Sequence, residues 1–256
     1  MEPVTSFLVS RTAGKLLDKI SAEFHARVIA RWSRKRAEEF FDEFCAQISI
    51  ATAERTSQAL EYALDRIIAD EICSEVLFDA YRRVTLARSK LLGPRIIAIL
   101  TAELVLATRL ANDAEDAMFA AAEGLTDDEL LAFAHFVRAE QQRNPPDPES
   151  GSLKIVWNKE RIDSYFAQIS NVPTGPLDLN SALGRWAAKL WAYGIVRHDV
   201  LETHQQYYAD PTRDRLTDRS VREIEWLVEV PHQYFKLVEL IERASLRPER
   251  QEEPRY

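Results

Sequence analysis

Three groups of residues have the types and spacing to do chemistry. Glu103 sits in the run Ile96–Ala107, where only it and Thr101 interrupt apolar side chains. A carboxylate in such company either meets a cation or takes up a proton, because an unpaired buried charge is too costly. The ordinary outcome is an ion pair with an arginine of a neighbouring helix, and Arg66, Arg83 and Arg109 are candidates. The functional outcome is a catalytic acid or base, or a ligand contact, and it needs a second polar group in an adjoining pocket. His198, Asp199, Glu202 and His204 cluster in sequence, so a hairpin that gathers them has metal-ligand types at hand. The plainer reading is hairpin surface, and no metal or cofactor is expected. Arg185 and Lys189 fall four apart in a helical stretch. With Arg213 and Arg215 of the charged loop Asp210–Arg215, they are the third group, cations that could meet an anionic partner.

Other chemistries lack their motifs. No Gly-x-Gly-x-x-Gly and no Gly-x-x-x-x-Gly-Lys-Ser/Thr is present, so no glycine loop is set to cradle a phosphate. There is no His-Glu-x-x-His, and no Gly-x-Ser-x-Gly elbow for a serine nucleophile. Cys45 and Cys73 are the only cysteines and form no Cys-x-x-Cys. They read as buried thiols of a reducing compartment, the cytoplasm.

The elements that must position these residues are helical for most of the chain. Of 256 residues 46% are hydrophobic, enough for a sizeable core, and 7 Gly against long Gly-free tracts favour helix. The net charge of −8 is uneven. Residues 1–150 hold 18 Lys and Arg against 25 Asp and Glu, so the acidity lies there and the chain is no general nucleic-acid binder.

Leu91–Asn112 is the organising stretch. A helix apolar on nearly every face must be wrapped by others. Its clean apolar core is about a dozen residues where a membrane span needs about 20, so a buried helix is expected and no membrane contact. Upstream, Leu16, Leu17, Ile20, Phe24, Val28, Trp32, Phe40, Phe41, Phe44 and Ile48 recur at helical steps. Arg27, Arg31, Arg34, Lys35 and Arg36 form a basic knot beside Glu38, Glu39, Asp42 and Glu43, close enough to neutralise one another across helical turns. Ser74 is the expected cap of a third helix. Asn112 with Glu115, and Thr126 with Glu129, are capping boxes. Residues 10–142 should then hold about six helices in an antiparallel bundle.

Residues 143–152, rich in Pro and polar side chains, read as a linker. Beyond it the expectation is a short strand at Leu153–Trp157 and helices at Lys159–Ile169 and Ser181–Tyr193, the latter stopped by Gly194. Short strands follow at Ile195–Leu201 and His204–Ala209, then a helix over Thr217–Val230 and a last one to about Ala244. The fold class is therefore mainly α: a helical bundle at 1–142 and a smaller α+β domain at 153–256.

Leu190-Trp-Ala-Tyr-Gly-Ile-Val196, followed by a hairpin and Arg215-Leu-Thr-Asp-Arg-Ser220, resembles the stretch of winged-helix regulators where the recognition helix gives way to the wing. The resemblance covers about 45 residues. It implies that Ser181–Tyr193 is the recognition helix, with Arg185 and Lys189 outward and, together with Arg213 and Arg215, the candidate nucleic-acid contacts. The Pro/Gly loop Asn171–Asn180 stands where such domains carry another helix.

The function expected first is a non-catalytic interaction protein, an adaptor or scaffold of bacterial regulatory or stress type, with a protein partner or self-association. A DNA-binding regulator acting through the second domain is the alternative. An enzyme or ligand-binding protein built around Glu103 is the third.

Overall fold

The computed structural model describes residues 32–52, 57–146, 150–164, 177–207 and 219–246. The early stripe Leu16–Val28, with Arg27, Arg31, Arg213 and Arg215, lies outside them. The chain divides into two compact units, residues 1–134 with 236–256, and residues 135–235. The fold class is the expected one, mainly α with a small α+β unit.

The first unit contains α1 (Trp32–Thr52), α2 (Ser57–Ala69), α3 (Glu71–Leu86), α4 (Leu92–Leu106) and α5 (Asp113–Gly124). The start of α6 (Asp127–Arg143) and α9 (Phe235–Ser245) also belong to it. α4 packs against α1, α3 and α5, and every residue from Leu92 to Val105 except Glu103 is buried. Ile97, Leu100 and Leu104 are enclosed, as an all-round apolar helix requires. Among the described residues no helix is long and apolar enough to cross a membrane. Phe40, Phe41 and Phe44 of α1 are fully buried, and Phe41 meets Tyr81 of α3 with ring centroids 5.9 Å apart.

The helix ends are set largely by short-range chemistry. Both capping boxes form. Asn112 accepts from Glu115 N at 3.0 Å while Asn112 N donates back to the Glu115 carboxylate at 3.1 Å, and Thr126 N donates to Glu129 at 2.9 Å. α3 starts earlier than expected: Asp70, not Ser74, accepts from Cys73 N at 2.9 Å. The start of α4 is capped from afar. Asp127 accepts from Leu92 N at 2.8 Å and from Lys90 N at 3.2 Å, and it holds the Ser89 hydroxyl. Gly93 lies within the first turn of α4. A Cβ there would come within 2.4 Å of the Ala122 carbonyl oxygen, so only glycine permits this approach to α5.

The second unit has a three-stranded antiparallel sheet, β1 (Leu153–Ser164), β2 (Arg197–Tyr207) and β3 (Arg219–Val230), in the order β1-β3-β2. β1 runs from Leu153↔Val230 to Ser164↔Ser220 with an irregularity between Val156 and Asn158. β2 runs unbroken from Arg197↔Glu229 to Tyr207↔Arg219. Among the described residues between β1 and β2 lie the helices α7 (Leu179–Leu183) and α8 (Arg185–Ala192).

Several expectations are corrected here. The described start of Lys159–Ile169 is strand and not helix. Of Thr217–Val230, the described part is strand β3. Of Ile195–Leu201, Arg197–Leu201 is strand, and it continues into the described start of His204–Ala209 as one strand, β2. Long-range pairing decided each case: Lys159 reaches Glu225 at 2.6 Å across the sheet, and Arg161 reaches Glu223 at 3.6 Å. The helix expected over Ser181–Tyr193 is broken at Gly184, whose φ of +97° lies outside the helical region. Its stop at Gly194 holds. Gly194, at φ +74°, donates to Trp191 O, and Ile195 N reaches back to Leu190 O, which together close a Schellman turn.

The units also divide differently from the expected domains. The boundary falls inside α6, not at residues 143–152. α9 belongs with the first unit because its stripe of Leu237, Val238, Leu240, Ile241 and Ala244 is buried there.

Candidate functional site

Glu103 is the one residue of α4 between Leu92 and Val105 that reaches solvent, with its side chain 34% exposed. It is not a sealed charge. Two cations of α9 hold it: Lys236 Nζ at 2.7 Å from one carboxylate oxygen and Arg243 at 3.1 Å from the other. Arg243 also donates to Gln47 of α1 at 3.0 Å. Lys236 lies 3.6 Å from Glu115, and Arg109 grips Glu115 through two bonds of 2.7 Å. Arg109, together with the Asn112 backbone N–H, holds the buried Glu115 carboxyl down at about 2. This cluster contains two carboxylates and three cations, each already engaged.

The partners differ from the arginines the sequence suggested. Arg83 pairs with Asp79 at 2.7 Å and Asp116 at 3.1 Å, and Arg109 is taken by Glu115. Arg66 lines a cleft of about 530 Å³ with Ile48, Ile67, Cys73, Val105 and Thr108. Burial pushes the Cys73 thiol up, which makes it a poorer nucleophile. Lys236 and Arg243 were missed because α9 was assigned to the other domain. Their seven-residue spacing, two turns on one face of an amphipathic helix, was a usable signal.

A second ion pair lies deeper. Arg95, 4% exposed, meets Glu39 at 2.8 Å and donates to Ala244 O at 3.1 Å. It ties α1, α4 and the end of α9 together. The basic knot and its acidic neighbours on α1 therefore do not simply cancel within the helix. Glu39 finds its cation 56 residues on.

The histidine cluster does not gather as ligands. The period-two geometry puts His198, Glu202 and His204 on one face of β2 and Asp199 on the other. Glu202 is engaged by Arg222 of β3 and by His204, which lowers its carboxyl below the usual range, with Arg222 the larger cause. His198 meets Trp191 with ring centroids 5.3 Å apart. Among the described residues no group of three or more metal-ligating side chains is placed to hold an ion.

Of the nucleic-acid candidates, Arg185 is exposed at the start of α8 and Lys189 is half-buried one turn on. α7 does precede α8, as a helix-turn-helix needs, but it has five residues and Gly184 alone separates the two. Compared with known proteins, the chain matches no family model, no curated protein and no solved structure.

Proposed function

We propose that the chain is a non-catalytic interaction protein, with the first unit as its stable body and the sheet of the second as its docking element. The observation that carries this reading is where the second unit leaves large apolar side chains exposed. Val156, Trp157, Trp191 and Leu201 are 54%, 40%, 52% and 48% exposed, three of them on the outer strands of the sheet. Solvent-facing tryptophan beside aliphatic side chains is the composition of protein-binding surfaces. Glu103, Arg83 and Arg109 are each engaged in an ion pair, which counts against the enzyme reading. The test is co-purification with the full chain as bait. A stoichiometric protein partner is expected with the native chain and its loss with Trp157→Ala and Leu201→Lys. Retention of the same partner by both variants overturns the reading.

A DNA-binding role is the second reading. The order strand, two helices, hairpin and the exposed Arg185 support it. A mobility shift on duplex DNA that falls with salt, and weakens in Arg185→Ala and Lys189→Ala, is its expected signature. No shift at low salt removes it.

A further inference from the structure

The two outer strands of the sheet are not alike. β1 carries Lys154, Lys159 and Arg161 and an irregularity between Val156 and Asn158. Such charges and bulges are the devices that keep an edge from pairing with another chain. β2 carries Arg197, Asp199 and Glu202, but no lysine and no irregularity. Its register with β3 is unbroken over eleven pairs. Its exposed run, Leu201-Glu-Thr-His-Gln205, contains no lysine or proline. Among the described residues no strand pairs with its other side.

That run is also complementary to itself. An antiparallel two-fold through Thr203, the middle residue of the exposed run, sets Thr203 against its own copy and Leu201 against Gln205. It sets Glu202 against His204 twice over. No like charges then face each other, whereas a two-fold through Glu202 opposes two carboxylates, a destabilising pair. Thr203-centred pairing leaves Asp199 opposite Tyr207 and Val200 opposite Gln206, so nine residues of each strand are matched without a charge clash.

We infer that the β2 edge binds a second copy of this chain, joining two three-stranded sheets into one six-stranded antiparallel sheet through an isologous contact about Thr203. The inference rests on the docking reading above and names its partner. Residues paired across antiparallel strands have Cα atoms about 4.5–5.5 Å apart, inside the range a disulfide spans. Asp199 and its copy would lie eight residues out of register, roughly 27 Å apart at the rise of an extended strand. Cys45 and Cys73 are buried and do not compete.

The test uses the full chain. Sedimentation should find a reversible dimer for the native protein, weakened in Leu201→Lys. Under mild oxidation Thr203→Cys should give a covalent dimer, and Asp199→Cys should not. Equal cross-linking of the two cysteine variants, or a native chain that stays monomeric at the highest workable concentration, overturns the inference. A monomer that still captures a different protein, and loses it on Leu201→Lys substitution, overturns the second copy while leaving the docking reading in place.

Discussion

The central helix of the first unit and the outer strands of the second differ in how far their apolar side chains are covered. In the first, α4 is wrapped from Leu92 to Val105 until only Glu103 shows, and the charges near it are closed in pairs: Arg95 with Glu39, Glu103 with Lys236 and Arg243, Glu115 with Arg109. In the second, strands of eleven and twelve residues carry Val156, Trp157 and Leu201 into solvent. A sheet of three strands buries little of its own outer surface, so side chains there remain available for contact.

If that contrast is right, the largest effects on stability come from the first unit. Arg95→Ala leaves Glu39 half-sealed without its cation and the Ala244 carbonyl without its donor. Breaking a buried pair of this kind costs about 3–5 kcal/mol. Denaturant unfolding should show the midpoint fall accordingly, and an Arg95→Met chain should recover part of the loss. An unchanged midpoint in Arg95→Ala removes the pair from the core. Leu100→Ala, which opens a cavity in the most enclosed helix, should cost about 2–5 kcal/mol. Leu201→Ala on the exposed strand should stay within about 0.5 kcal/mol. Comparable losses for Leu100 and Leu201 would break the comparison outright.

Acid sharpens it further. The Glu115 carboxyl is held at about 2 in the folded chain, against an ordinary value of 4.5. Its folded value is depressed, so the stability it contributes is fully present above the ordinary value and drains away as pH falls toward 2. Native chain should lose stability across that window. Glu115→Gln should lose less over the same interval, since the group that titrates is gone. Matching acid profiles for the two would show that Arg109 and the Asn112 backbone N–H do not hold this carboxylate.

The same contrast explains how much the sequence disclosed. In the first unit the signals are local. Asn112 and Glu115, or Thr126 and Glu129, lie three residues apart, and each pair caps its helix whatever the rest of the chain does. The apolar run of α4 needs no partner to be read as buried. In the second unit the deciding contacts are distant. Val221, Ile224 and Val228 step by three and four as a helix would, yet they lie on a strand because its backbone pairs on both sides, with β1 more than fifty residues back and with β2. Nothing within Arg219–Val230 announces those partners. The Glu103 site was half legible for the same reason. Its need for a cation could be read from its neighbours, but Lys236 and Arg243 stand more than 130 residues downstream. Where a contact is local, as at Gly194, the reading held in the second unit too.

Smaller effects test whether caps and surface pairs rank as their exposure implies. Asn112→Ala removes the side-chain acceptor from a capping box whose second half, the Glu115 carboxylate, is also tied to Arg109 and Lys236. The loss should be about 1 kcal/mol, and it should be partly coupled to Arg109→Ala in a double-mutant cycle. Thr126→Ala, at a box whose members are exposed, should cost no more than that.

The smallest change belongs to the sheet. Lys159 lies 2.6 Å from Glu225 and 3.5 Å from Glu223, and its side chain is 51% exposed. The two carboxylates raise its ammonium above the usual lysine range, Glu225 foremost. Close distances alone suggest a strong clamp between β1 and β3. Exposure argues otherwise, because water and salt screen the charges and a long side chain must be held still to keep them. Lys159→Ala should therefore change stability little, and the difference should shrink as salt is raised. Its larger consequence should be at the edge itself. Stripping a lysine from β1 removes one of the charges that keep this strand from pairing, so a Lys159→Ala, Arg161→Ala chain should self-associate more readily than the native one, as sedimentation would register. A chain equally monodisperse with and without those charges would mean that the asymmetry between β1 and β2 is not what governs which edge is open.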